Sequence, residues 1–306
     1  MPYVKDLPEF IKELSKLNSG SGGGELLFRG HSDKRYKAEP SVFRNDEWRR
    51  REHEMLRQLL AQHPTEFSQD TSTFELLARA QHYGLPTRLL DVSSNPLVAL
   101  FFACNQSANM AKKEGSAKRP TGEVVVFFPE NPKKSFFDSE VVAALCSLSN
   151  LTYDKKEEIR SHLLKCYEHA KSHTESPEEF DRAFNGRFNE HRCVKELLRI
   201  VRKDDVSIGD AIHPRSLAEI VAVLPRKLDE RIVSQSGAFL VYGLFNPESE
   251  KKESFLLESF KTEEIYIAPK NKARILDELN SIGINIESLF PSLERTATKI
   301  KRGQNV

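Results

Sequence analysis

Apolar residues at Phe10, Ile11, Leu14 and Leu17 trace the stripe of a short amphipathic helix between Val4 and Leu17. A Gly/Ser stretch at 18–24 follows, and Glu25 to Phe28 then reads as a short strand ending at Arg29-Gly30, where the glycine gives the backbone room to turn. A charged helix begins near Asp46 and runs through Met55 to Leu60, and another spans Phe74 to Tyr83. Gly84-Leu85-Pro86 ends that helix, with glycine after the last turn and proline soon beyond. Asn95-Pro96 opens the next, asparagine suiting the cap and proline the first helical position. Its apolar set, Leu97, Val98, Leu100, Phe101 and Phe102, covers most of its circumference and predicts a buried helix. The unbroken apolar run from Glu123 to Phe128 predicts a buried strand. Phe136 to Lys203 is patterned as helix throughout. Strand patterning returns at Glu219–Leu224, Ala238–Leu244 and Glu264–Ile267, and a helix covers Lys270–Ile282.

The separations between these strands are too irregular for a doubly wound parallel sheet. The order predicts an α+β fold, with a mixed or antiparallel central sheet, flanking helices and an inserted helical lobe. Residues 1–135 and 207–306 supply two parts of one core, and residues 136–206 the insertion. Lys plus Arg total 46 against 45 for Asp plus Glu, a net charge of +1, which argues against a general nucleic-acid binder. Short basic runs at Lys112–Arg119 and Lys299–Arg302 keep nucleic-acid binding or cleavage as a further alternative. Cys104, Cys146, Cys166 and Cys193 lack CxxC spacing, so neither a zinc signature nor a disulfide framework is read from them. The first residues show no signal-peptide pattern, and no apolar run approaches a membrane span; a cytoplasmic protein without membrane contact is expected.

Candidate chemistry gathers ahead of the apolar segment Leu97–Ala103. His82, Tyr83, Thr87, Arg88, Asp91, Ser93, Ser94 and Asn95 fall within one short stretch. Buried unpaired, each polar group would cost about 1–3 kcal/mol, so these groups either satisfy one another or face a ligand. Arg29 offers a planar fork for phosphate or carboxylate, or pairs with Asp91 to tie loops together. In a helix Arg88 and Asp91 would pair locally, and Ser93 and Ser94 would be capping hydroxyls; at a helix N-terminus the same hydroxyls suit a phosphate. His82 complements a helix dipole or hydrogen-bonds a ribose or phosphate, and Tyr83 offers a ring for stacking. Gln235 and Gly237 precede a strand, as a turn or as a reading amide at the sheet rim, with Glu219 and Glu230 as the nearest carboxylates. The histidines show no HExxH spacing, and His162, His169 and His173 lie on a charged face, so no metal site is assigned. P-loop, Rossmann and GxSxG signatures are missing.

Phe28-Arg29-Gly30, Pro40-Ser41, the string from Gln81 to Asp91, Asn95-Pro96 and Arg231-Ile232 with Gln235 and Gly237-Ala238-Phe239 resemble the FRG-domain family. Members occur often in bacteria, and the family name supplies no activity. Leu27–Gly30 followed by Ser93-Ser94, Ala99 and Phe101-Phe102 is similar, less closely, to mono-ADP-ribosyltransferases. That resemblance implies an NAD site in which Arg29 and Arg88 hold the pyrophosphate, with Gly30, His82, Tyr83, Thr87, Asp91, Ser93 and Ser94 around it. Val92-Ser93-Ser94-Asn95 departs from the family's Ser-x-Ser element, and its late Glu motif is missing. Gln235, Glu219 or Glu230 would stand in its place. The function implied is ADP-ribose transfer to an unknown protein or nucleic-acid acceptor, or NAD hydrolysis, in a bacterial toxin, effector or anti-phage setting. The alternative is a non-catalytic module binding a nucleotide or a partner.

Overall fold

A computed structural model describes residues 2–18, 25–105, 120–128, 134–204, 208–226, 230–246 and 260–291. The basic runs Lys112–Arg119 and Lys299–Arg302, like most of the Gly/Ser stretch, lie outside the described residues. Strands β1 (Tyr3–Val4), β2 (Leu27–His31), β3 (Leu89–Ser93), β4 (Gly122–Phe128), β5 (Lys134–Phe136), β6 (Ile220–Leu224), β7 (Gly237–Tyr242) and β8 (Lys261–Ile267) form one sheet. Its order is β1-β8-β4-β2-β3-β7-β6-β5. Only the edge pairs β1/β8 and β5/β6 are parallel. The five inner pairings are antiparallel, so the sheet is mixed and the fold α+β, as the sequence predicts.

Alternation along the strands divides the sheet into two unlike faces. One face carries Phe28, Val124, Val126 and Ile265, packed under α1 (Leu7–Asn18), α4 (Pro96–Cys104) and α10 (Lys272–Ser281). Leu89, Val221, Phe239 and Val241 continue it beneath α2 (Asp46–Gln62), α3 (Thr73–His82) and α5 (Glu140–Ser147). The other face, with Leu27, Leu90, Val92, Val125, Leu240 and Tyr242, is covered by Ala38, Phe43 and Phe260. The helical block comprises α5, α6 (Tyr153–His173), α7 (Pro177–Asn189) and α8 (Arg192–Asp204) around its own apolar cluster, which includes Ile159, Phe184 and Leu197. Short helices α9 (Glu230–Ser234) and α11 (Ile286–Leu289) flank β7 and α10. Among the described residues no helix is long and apolar enough to cross a membrane.

Three local expectations change. Residues 89–93 form a central strand, so Arg88 and Asp91 are not helical neighbours. Phe136 belongs to β5 rather than to the helical block. Gly30 does not turn the chain: β2 runs through it to His31, with Gly30 opposite Val124. A Cβ there would lie 1.9 Å from the Ala99 carbonyl oxygen, so the glycine admits the backbone of α4.

Arg88 itself turns inward. Its Nε and Nη2 donate to the two oxygens of Glu52 at 2.8 and 2.6 Å, and its Nη1 to the carbonyls of Tyr242 and Gly243 at 3.0 and 3.1 Å. Lys156 on α6 reaches the same carboxylate at 2.5 Å. All three side chains are buried. The cluster therefore pins α2, the entrance to β3 and the helical block together, with every charge opposed.

Candidate functional site

The motif from Gln81 to Asp91 builds its own geometry. Gly84 adopts a left-handed φ of 89°, Leu85 N–H donates to Ala80 O at 3.0 Å and Gly84 N–H to Gln81 O at 2.9 Å, which closes α3 with paired reverse bonds. The chain then enters β3 and brings Thr87 back against Gln81. The Thr87 hydroxyl accepts from Leu89 N–H at 3.3 Å and donates to Gln81 Oε1. That fixes the amide orientation, because Gln81 Nε2 must then face away from Thr87; it donates to Asp91 Oδ2 at 2.8 Å. Asp91 is exposed, and its Oδ1 takes no hydrogen bond among the described residues. The relay thus presents one oriented carboxylate oxygen to the outside.

It opens into a cleft of about 240 Å³ between α3, α9 and the β3–β7 pair, lined by His82, Tyr83, Asp91 and Gln235 among the residues expected from sequence. Phe74, Ile232 and Phe239 supply apolar wall. His82 and Tyr83 meet edge to face at 5.4 Å, and Tyr83 is 58% exposed. Three arginines also line the cleft. Arg79 is forked on Asp70 at 2.7 and 2.9 Å, Arg226 lies 3.2 Å from Glu75, and the Arg231 guanidinium sits 5.1 Å from the Phe290 ring centre.

The other expected residues have different duties. Ser93 Oγ donates to Gln235 O at 2.7 Å, and Ser94 Oγ lies 3.4 Å from Ser236 O; together they tie the end of β3 to the turn before β7. Asn95 Oδ1 accepts from Leu97 N–H and caps α4. The Gln235 amide is engaged with the Leu289 carbonyl at 2.9 Å. Glu219 immediately precedes β6, whereas Glu230 opens α9 beyond the far end of that strand, so the two carboxylates do not converge.

Arg29 lies on the opposite sheet face from Asp91, sharing it with Leu27 and His31. Its Nε donates to His31 Nε2 at 3.1 Å and its Nη1 to the Asp91 carbonyl. An arginine Nε always carries its hydrogen, so His31 Nε2 accepts and the imidazole proton sits on Nδ1, 3.1 Å from Glu123 Oε2. Burial lowers the His31 pKa, the Arg29 charge lowers it further, and the Glu123 carboxylate opposes both. A second cleft of about 380 Å³ lies on this face, lined by Lys34, Lys37, Glu123, Tyr242 and Glu264 among others. The residues that the ADP-ribosyltransferase resemblance groups together are therefore divided: Asp91 and Gln235 on one cleft, Arg29 behind it. His31, Glu123 and the orienting role of Gln81 are not found by motif reading. Their only sequence signals are the two-residue step from Arg29 to His31 and the single acid heading an otherwise apolar strand.

Searches of curated proteins and of solved structures found no match to this chain. Residues 24–112 match the FRG domain family. Phe28-Arg29-Gly30 and the whole Thr87–Gln81–Asp91 relay fall within that span, so this stretch of the chain carries an FRG domain.

Proposed function

We propose that the cleft between α3 and α9 binds a nucleotide, NAD in the first instance, and that the protein hydrolyses it or transfers its ADP-ribose to a macromolecular acceptor. The observation that carries this reading is the Asp91 carboxylate, oriented by Gln81 and open on one oxygen in a cleft that Tyr83 also lines. A carboxylate so placed accepts from ribose hydroxyls and opposes the positive charge that develops on the ribose as the nicotinamide bond breaks. Tyr83 offers a stacking face, and Arg231 supplies cationic charge for a pyrophosphate on the same side of the sheet as Asp91. A non-catalytic binding module is the second reading. It is favoured by Ser93, Ser94 and Gln235, whose side chains are engaged with the protein's own carbonyls.

The test is free nicotinamide from NAD, measured by chromatography beside NAD calorimetry, for the wild type and for Asp91→Asn, Thr87→Val and Arg29→Ala. Release that is lost in Asp91→Asn and weakened in Thr87→Val, where the Gln81 amide is free to turn, supports turnover in this cleft. Binding without release supports the module. Release untouched by Asp91→Asn but abolished by Arg29→Ala moves the site to the other face and overturns the assignment.

A further inference from the structure

In the helical block, Glu158 on α6, His191 just before α8 and Cys193 in its first turn bring three ligand atoms within 4.8 Å of one another. Cys193 Sγ lies 3.1 Å from Glu158 Oε2, and His191 Nε2 lies 3.5 Å from Glu158 Oε1. Tetrahedral zinc, with bonds of about 2.0–2.3 Å, sets its ligand atoms about 3.3–3.8 Å apart. The two contacts use different oxygens of Glu158, so the triad, within 4.8 Å, closes by up to about 1.5 Å as the side chains turn onto an ion. We infer that Glu158, His191 and Cys193 form a site for a borderline-soft divalent cation of the zinc class, stapling α6 to the start of α8.

The donor set selects the ion. A thiolate and an imidazole beside a single carboxylate suit zinc, whereas magnesium and calcium take oxygen ligands. Three protein ligands leave a fourth position for water. Cys193 is buried while the Glu158 side chain is 55% exposed, so the carboxylate marks the route by which an ion enters. His162, four residues after Glu158 on α6, stacks its ring on His191 at 4.2 Å and holds that imidazole in place. Without metal, His191 Nδ1 accepts from Cys193 N–H at 3.3 Å, so its proton sits on Nε2 toward Glu158. Binding through Nε2 moves that proton to Nδ1 by exchange with water and breaks the 3.3 Å bond. The thiol proton goes to solvent, so one proton is released per metal bound.

The experiment uses full-length protein stripped with a chelator and titrated with Co²⁺, which reports thiolate ligation by a sulfur-to-cobalt charge-transfer band. The expected result is one equivalent bound with that band, its displacement by Zn²⁺, and a higher Tm with Zn²⁺. The band should vanish in Cys193→Ala and persist in Cys166→Ala. Glu158→Gln, a change at an exposed position, keeps the test open if Cys193→Ala fails to fold, and should weaken Co²⁺ binding at least about tenfold. No band in the wild type, or a band that survives Cys193→Ala or is lost in Cys166→Ala, overturns the site.

Discussion

Replacing Glu52 by Gln removes a charge and almost no volume, and it isolates what the Arg88–Glu52–Lys156 cluster contributes. Glu52 is 3% exposed and faces two buried cations, so Glu52→Gln leaves Arg88 and Lys156 with no ion-paired carboxylate among the described residues. Burial alone raises the carboxyl pKa, but the two cations outweigh it and hold the group at about 2, against 4.5 in the unfolded chain. At about 1.4 kcal/mol per pH unit this difference is about 3 kcal/mol. Breaking a buried ion pair from one side costs about 3–5 kcal/mol, so the two routes agree. Urea unfolding followed by circular dichroism should show a loss in that range with the m-value unchanged. Arg51→Ala, at an exposed helix position paired with Glu47 and Glu54, should leave the midpoint where it is. The pH dependence has a definite sign. Because the folded pKa lies below the unfolded one, the stabilisation is fully present above about pH 4.5 and is lost as the pH falls toward 2. The gap between wild type and Glu52→Gln should therefore close on acidification. A loss under about 1 kcal/mol at neutral pH, or a gap that fails to narrow, would refute the reasoning.

Two further outcomes are expected. Gly30→Ala drives a Cβ into the Ala99 carbonyl and the Ala103 amide, both backbone atoms that cannot swing aside, so it should cost about 3 kcal/mol or more and yield little soluble protein; near-native unfolding midpoints would contradict the packing. His31 titrates at lower pH in the folded chain than in the unfolded one, so its contribution is complete above about pH 6.5 and declines as the pH falls below that value. His31→Asn should flatten this part of the stability profile, and nitrogen chemical shifts should place the proton on Nδ1; a proton on Nε2 would dismantle the Arg29–His31–Glu123 chain.

What could be read from sequence was what local chemistry determines. Asn95-Pro96 starts α4 and caps it, Gly84 takes the left-handed position that ends α3, and the unbroken apolar run of β4 is buried along its length. The strand at 89–93 escaped because five residues holding Asp91 and Ser93 show neither a continuous apolar run nor a full alternation. β1 and β5, two and three residues long, are defined by their partners rather than by their own pattern. Site geometry was harder still. Glu52, Arg88 and Lys156 meet across more than a hundred residues of chain, and nothing local distinguishes Arg88 turned inward on Glu52 from Arg88 facing a ligand. For Arg29 the deciding fact was parity: one residue's difference in alternation puts its guanidinium behind the sheet from Asp91.

The strand order also bears on how the FRG segment reaches its native state. Among the described residues, the strands of 24–112 are only β2 and β3, neighbours that share a single register pair, Phe28 with Ser93. The longer ladders that hold them, β4 on one side and β7 on the other, come from residues 122–128 and 237–242. During synthesis the matched segment therefore emerges with two nearly unpaired edges, and β3 waits more than a hundred residues for the strand that completes it. Open edges of this kind invite pairing with other chains, and contacts so distant in sequence form late. In this protein the family motif is the centre of a sheet whose sides are supplied afterwards, and the interval before they arrive is when the nascent chain is most exposed to misassembly.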